Sequence, residues 1–234
     1  MSSRHEENQL ALSLTLPDAF EIKNYVAGPN RLALKRVEEI AKAQGDFGVY
    51  LWGAPGVGKT HLLQGACGKA TFQGFSSIYL PLNSPNLKVD DLQGLEHCDL
   101  VCLDDIHLIA GKRDWEEALF HLYNRAKDHH KHFLVSGNCA PLQLPITLPD
   151  LRTRLGWGEI YHVLPLSDDD KLEALKVRAH QRGLHLADEV GRYLLNRASR
   201  SMPELYEILE KLDKASLAHQ RALTIPFVKQ ILKI

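Results

Sequence analysis

The sequence predicts an α/β protein, with a five-stranded parallel sheet flanked by helices and then a small C-terminal domain made of helices alone. Three observations carry that expectation. Five short apolar runs, GVYLW at 48–52, SSIYL at 76–80, DLVCL at 99–103, HFLVS at 132–136 and IYHV at 160–163, alternate with helical patterns, which is the spacing of βαβ units. The first run leads directly into a glycine-rich turn, Gly53 to Thr60, and then a helical stretch. After about Pro165 the strand signal stops and helical periodicity continues alone.

Each element of the helical end has its own punctuation. Ser167 with Asp170 forms a capping box ahead of Leu172, Leu175 and Ala179, and Gly183 closes that helix. Val190, Leu194 and Leu195 mark a second helix. Ser201 and Glu204 read as another capping box, with Pro203 in the first turn, before Leu205, Ile208, Leu209 and Leu212. Thr224 to Ile234 reads as a short helix or a strand. The expected division is an extended tail at 1–19, an α/β domain at 20–166 and a helical lid at 167–234.

Composition sets outer limits. With 234 residues, 44% hydrophobic and 24% charged, the chain can form one medium domain and a smaller one. The formal net charge is -1 and the pI is about 6.9, so the basic footprint of a free-standing DNA-binding domain is missing and direct sequence-specific DNA binding is not expected. Cys67, Cys98, Cys102 and Cys139 form no CxxC pair, the usage of buried thiols in a reducing compartment. Met1 to Asn8 is polar and charged, and no apolar run is long enough to span a bilayer, so a cytoplasmic protein without a membrane partner is expected.

Gly53-Ala54-Pro55-Gly56-Val57-Gly58-Lys59-Thr60 fills every fixed position of the G-x-x-x-x-G-K-[ST] phosphate loop, in the required strand-to-helix context. Its glycines let backbone N–H groups converge on phosphate oxygens at a helix N-terminus, Lys59 neutralises the terminal phosphates, and the Thr60 hydroxyl reaches Mg²⁺. The run Leu100 to Leu103 ends in Asp104-Asp105. Asp104 is assigned to the metal through its water shell, and Asp105 to polarising an attacking water. Ahead of the loop stand Phe20, Tyr25, Gly28, Pro29, Asn30 and Ala33, and beyond it LDDIHLIAGK and LRTRLGWG.

These segments, in this order and at this spacing, resemble the AAA+ ATPases of the DnaA branch from Phe20 onward. The resemblance implies an AAA+ P-loop NTPase core, with nucleotide contacts from Tyr25, Val26 and Asn30 and from Pro55, Gly56, Val57, Gly58, Lys59, Thr60 and His61. Asn138 falls at the position of the polar residue that senses phosphate or positions water, although an asparagine in a turn accounts for it equally well. Members with DnaA's own role carry a DNA-binding domain after the lid; this sequence stops at Ile234.

The tail reads differently. In Gln9-Leu10-Ala11-Leu12-Ser13-Leu14 the leucines alternate with small residues, so an extended strand would carry Leu10, Leu12 and Leu14 on one side behind Gln9. That suits docking into a partner's apolar pocket, or packing on its own domain. The tail resembles the short motif with which bacterial proteins bind the DNA polymerase III sliding clamp (beta subunit). Together with the core it resembles the Hda-type group of the branch. That resemblance implies a nucleotide-bound protein, with ADP or another nucleoside diphosphate and Mg²⁺, which rides on DNA-loaded clamp and stimulates hydrolysis of DnaA-bound ATP. It requires an arginine presented in trans; Arg154 matches the finger position and Arg152 is its nearer rival.

One departure is plain in the lid, where the family's phosphate-contacting arginine aligns with Pro203. Arg200 is the neighbouring cation that could replace it, so weak intrinsic hydrolysis is expected, with an autonomous AAA+ ATPase or helicase-loader-like remodelling factor as the alternative. The stretch Asp128 to His132 reads as solvated surface, and Trp52, Trp115 and Trp157 as packing residues. Base identity and oligomeric state, a homodimer included, are not fixed by the sequence.

Overall fold

The computed structural model describes residues 21–234, so Phe20 and the Gln9 to Leu14 tail lie outside the described residues. Five strands form: β1 (Gly48–Trp52), β2 (Ser77–Pro81), β3 (Leu100–Asp104), β4 (His132–Gly137) and β5 (Glu159–His162). All pairings are parallel, in the order β2-β3-β4-β1-β5. The expected five-stranded parallel sheet is therefore present, with its strands displaced by a residue at some ends. Ser76 and Asp99 fall outside β2 and β3, where the Ser76 N–H donates to Asp99 Oδ2 at 2.9 Å and the Asp99 N–H donates to the Ser76 carbonyl at 2.7 Å and to Ser76 Oγ at 2.9 Å.

Side chains alternate across the sheet with the two-residue period of strands. Tyr50, Val101, Leu103, Phe133 and Val135 pack against α3 (Arg113–Asp128) and α4 (Pro149–Leu155), where Leu119, Leu122, Leu151 and Leu155 are buried. Val49, Leu51, Leu100, Cys102 and Leu134 face the other way, onto α1 (Arg31–Ile40) and α2 (Lys59–Phe72), through Val37, Ile40, Leu62 and Leu63. Each such aliphatic side chain contributes about 1.5–3 kcal/mol relative to exposure. Both faces of the sheet are covered, so its chemistry is confined to the strand ends. In open parallel sheets that means the carboxyl ends, and here β1, β3 and β4 end beside one another at Trp52, Asp104 and Gly137.

The helical lid follows as α5 (Asp168–Gln181), α6 (Asp188–Arg197), α7 (Met202–His219) and α8 (Ile225–Leu232), around a core that includes Leu172, Leu175, Val190, Leu194, Leu205, Leu209 and Phe227. The capping box opening α5 is formed. Ser167 Oγ accepts the Asp170 N–H, and the Asp170 carboxylate accepts the Ser167 N–H. The second expected box is not. Ser201 caps α7 by position only, and its N–H donates to Ser199 Oγ at 3.0 Å, leaving Glu204 no role there. The terminal segment is helix, started by Thr224 Oγ1 accepting the Phe227 N–H and by Pro226 in the first turn. No described helix is long and apolar enough to cross a membrane.

Candidate functional site

β1 delivers the chain into the glycine-rich loop, and α2 begins at Lys59. Gly56 and Gly58 have φ of 78° and 100°, the left-handed region that side chains disfavour. They are also closely covered. A Cβ on Gly58 would lie 2.9 Å from the Tyr25 ring, and one on Gly56 would lie 2.9 Å from Pro203 Cδ. The loop is thus a backbone surface with a positive helix end behind it, roofed by a tyrosine from the N-terminal segment and a proline from the lid. Lys59 folds back on the loop, donating to the carbonyls of Gly53 at 2.7 Å and Ala54 at 3.0 Å. Burial lowers its ammonium below the usual lysine value, and the Asp105 and Asp104 charges oppose that. A polyphosphate anion would satisfy this buried cation better than two carbonyls do.

Asp104, at the end of β3, is buried and heavily hydrogen-bonded. Its Oδ2 accepts from Thr60 Oγ1 and from the Tyr79 hydroxyl, each at 2.8 Å, and its Oδ1 accepts from Ser136 Oγ. Ser136 Oγ in turn accepts the Asp105 N–H at 2.9 Å. This bond holds Asp105 in a left-handed conformation, φ 62°, a geometry that aspartate tolerates better than most residues. Burial first, and the Asp104 charge second, push the Asp105 carboxyl above its usual value, with His107 and Lys59 pulling the other way. The adjacent acids are thereby differentiated: Asp104 is a fixed, donor-rich carboxylate, and Asp105 is a strained, more basic one facing the cleft.

That cleft, about 750 Å³, lies between the phosphate loop and the lid. It brings together Tyr25, Val26, Pro55, Gly56, Val57, Gly58, Lys59, Thr60, His61, Asp105 and Asn138 among the residues singled out in sequence. The Tyr25 and His61 rings meet edge to face at 5.3 Å. Asp104 sits just behind the wall, reached through Thr60. Arg200 also lines the cleft, 3.9 Å from Asp168. Lys171, His107, Met202 and Tyr206 line it too and were not singled out. Lys171 carried a usable signal, being the cation one position beyond the Asp170 box, whereas Met202 and Tyr206 look like ordinary lid-helix residues.

Asn30 is placed elsewhere. Its Nδ2 donates to the Leu164 carbonyl at 2.9 Å and its Oδ1 accepts the Leu164 N–H at 2.8 Å, so both ends of the amide clamp the segment before α1 to the link between β5 and the lid. It does not line the cleft. Asn30→Ala leaves the partly buried N–H and carbonyl of Leu164 without their amide partner, and urea denaturation is expected to show a loss of about 1–2 kcal/mol. A loss under about 0.5 kcal/mol would mean the clamp is replaced by water.

Arg154 does not line the cleft either. From α4 it reaches across to α3, its guanidinium 3.9 Å over the Phe120 ring, and it lies 5.0 Å from the ring of Trp157. Its Nε donates to Asn124 Oδ1 at 2.6 Å and its Nη1 to the Asp150 carbonyl at 3.3 Å. The pairing with Glu159 that a surface arginine here could make is pre-empted, because Glu159 binds Arg36 and Tyr161. Arg152, half-buried on the same helix, also lies outside the cleft lining. Trp157 is exposed and carries Lys127 as well as Arg154 on its faces, while Trp52 stacks on His162 at 3.8 Å.

The chain has relatives among known proteins. It matches the bacterial DnaA ATPase domain family over residues 16–80 and 86–162, and the lid domain of Hda over residues 168–232. It is similar to domain III of the replication initiation protein DnaA from Thermotoga maritima, with TM-score 0.80, 21% identity and coverage of 93% of this chain and 97% of that one. AMPPCP-bound DnaA from Aquifex aeolicus gives TM-score 0.71 at 24% identity, covering 86% of this chain and 67% of that one. A RuvB variant from Thermotoga maritima gives 0.63 at 18%, covering 87% and 66%. The structural likenesses establish the fold, an AAA+ core with a helical lid.

Proposed function

Because the chain belongs to the bacterial DnaA ATPase family and carries an Hda-type lid, we propose that it is a nucleotide-bound negative regulator of replication initiation. In this reading it rides on the DNA polymerase III sliding clamp (beta subunit) on DNA and stimulates hydrolysis of DnaA-bound ATP by supplying Arg154 in trans. The observation that carries the reading is the position of Arg154. It stands outside its own chain's cleft, oriented by Phe120 and Asn124, where a guanidinium serves a neighbouring molecule's γ-phosphate.

The chain's own cleft then holds ADP or another nucleoside diphosphate. Loop N–H groups and Lys59 bind the phosphates, and Tyr25 and Val26 border the base. Asp104 and Thr60 offer hard oxygen donors side by side, a set suited to Mg²⁺, which they would hold. The ion supplies charge neutralisation at the phosphates. Pro203 rather than a cation covers Gly56, which favours retention of a diphosphate over rapid turnover, and Arg200 and Lys171 are the lid cations that compensate. A second reading, an autonomous ATPase, is favoured by Asp105 and Asn138, which line the cleft where a water would be positioned.

The test is hydrolysis of DnaA-bound ATP with this protein added, with and without DNA-loaded clamp. Stimulation is expected only with clamp, and is expected to be lost in Gln9→Ala/Leu10→Ala while ADP binding survives. Rapid ATP hydrolysis by the protein alone, without stimulation of DnaA, selects the autonomous reading instead.

A further inference from the structure

One of the three hydroxyls around Asp104 is remote from the phosphate loop. Thr60 is part of the loop, and Ser136 also fixes the Asp105 backbone. Tyr79 comes from β2, on the other side of β3 from the loop, is buried, and does not line the cleft. A carboxylate has about four lone-pair positions. Thr60 and Tyr79 fill both on Oδ2, and Ser136 takes one of those on Oδ1. A single position is left open.

The tyrosine also has somewhere else to go. The Gln64 side chain, on α2, lies beside the same hydroxyl. Its Oε1 is buried without a hydrogen-bond partner among the described residues. An idle buried acceptor costs about 1–3 kcal/mol, so a state in which Tyr79 turns to Gln64 recovers that cost. Burial, with Asp104 beside it, holds the Tyr79 phenol far above its ordinary value, so the hydroxyl stays a donor at every working pH.

We propose that Tyr79 is a positioning residue that sets the magnesium affinity of this site: its hydroxyl occupies an Asp104 lone pair that the ion's water shell needs, and transfers to Gln64 when the ion is held. The proposal rests on the reading of the cleft as a magnesium–nucleotide site. In the metal-free state the three donors keep Asp104 oriented. With the ion held, Thr60 would keep its proton on Asp104 and offer a lone pair to the ion, and Ser136 would keep the Asp105 N–H, so Tyr79 is the donor free to yield its place to a second water of the ion's shell, beyond the one open position.

The experiment is calorimetric titration of ADP at graded Mg²⁺ and in EDTA, on the wild type, Tyr79→Phe and Gln64→Leu, each checked by thermal melting. Tyr79→Phe is expected to lower the Mg²⁺ concentration for half-maximal tightening about fivefold, the margin by which a hydrogen bond to the charged Asp104 exceeds one to the neutral Gln64 amide, with affinity in EDTA unchanged. Gln64→Leu is expected to raise that concentration, because the phenol loses its second acceptor. An unchanged or higher Mg²⁺ requirement in folded Tyr79→Phe would overturn the proposal and leave Tyr79 as packing. A wild type that binds no ADP at any Mg²⁺ concentration overturns the nucleotide reading of the cleft, and this inference with it.

Discussion

Arg154→Ala is expected to slow clamp-dependent hydrolysis of DnaA-bound ATP by ~10³-fold or more, with ADP binding unchanged. An arginine finger is worth ~10³–10⁵ in turnover, about 4–7 kcal/mol of transition-state stabilisation. The side chain makes no contact with its own cleft, so removing it leaves the phosphate loop intact. Its loss uncovers the Phe120 ring face and Asn124 Oδ1, a partly exposed site where about 1 kcal/mol of stability is at stake. Melting of the variant therefore separates a catalytic defect from a folding one. Arg154→Lys is expected to fail almost as badly, since an ammonium has no planar fork. Arg152→Ala, run in parallel, decides between the two arginines of α4. If Arg152→Ala abolishes stimulation and Arg154→Ala does not, the finger assignment passes to Arg152.

What could be read in advance follows the range of the interactions. The phosphate loop was legible because its chemistry is local: eight consecutive residues, a strand before and a helix after. The Ser167–Asp170 box was legible for the same reason, being a contact across three residues. The Ser201–Glu204 box had the same spelling and did not form, because Ser199 stands two residues upstream and captures the Ser201 N–H first. Long-range partnerships left no local trace. The resemblance implies a ligand contact for Asn30, and nothing local in the sequence announces the partner its amide has in this structure, Leu164, 134 residues away. In sequence Tyr79 is one more strand aromatic; only the pairing of β2 with β3 brings its hydroxyl to Asp104. Glu116 was concealed most completely. In a helix beginning Arg113-Asp114-Trp115-Glu116-Glu117 it looks like a solvated charge.

Glu116→Ala is expected to cost about 4 kcal/mol of folding stability, because this carboxylate is 0% exposed and is held without a cationic partner among the described residues. Its Oε1 accepts the Gly111 N–H at 2.7 Å, and its Oε2 accepts from Thr147 Oγ1 at 2.6 Å and from the Leu148 N–H at 2.8 Å, with the Thr147 N–H shared between both oxygens. Alanine leaves four donors facing a void, at about 1–3 kcal/mol each before relaxation. Burial acting alone would raise the carboxyl; the Thr147 hydroxyl and the three N–H donors outweigh it and hold Glu116 below the ordinary glutamate value. A depressed folded value means stability that is fully present above the unfolded glutamate pKa of about 4.3 and is lost as pH falls through the folded one. Glu116→Gln keeps the shape, turns an NH₂ toward donors and cannot titrate. Its stability deficit at pH 7, about 2–3 kcal/mol, is therefore expected to shrink on acidification toward pH 3 in denaturation experiments. The carboxylate also fixes Thr147 and Leu148, the two residues that lead into α4 and its Arg152 and Arg154. Among variants that remain folded, stimulation of DnaA-bound ATP hydrolysis should fall while ADP affinity holds, because the loosened helix carries the arginine and not the phosphate loop. A Glu116→Ala protein within about 1 kcal/mol of wild type would mean that water replaces the carboxylate, and that α4 is held by its apolar contacts at Leu151 and Leu155 instead.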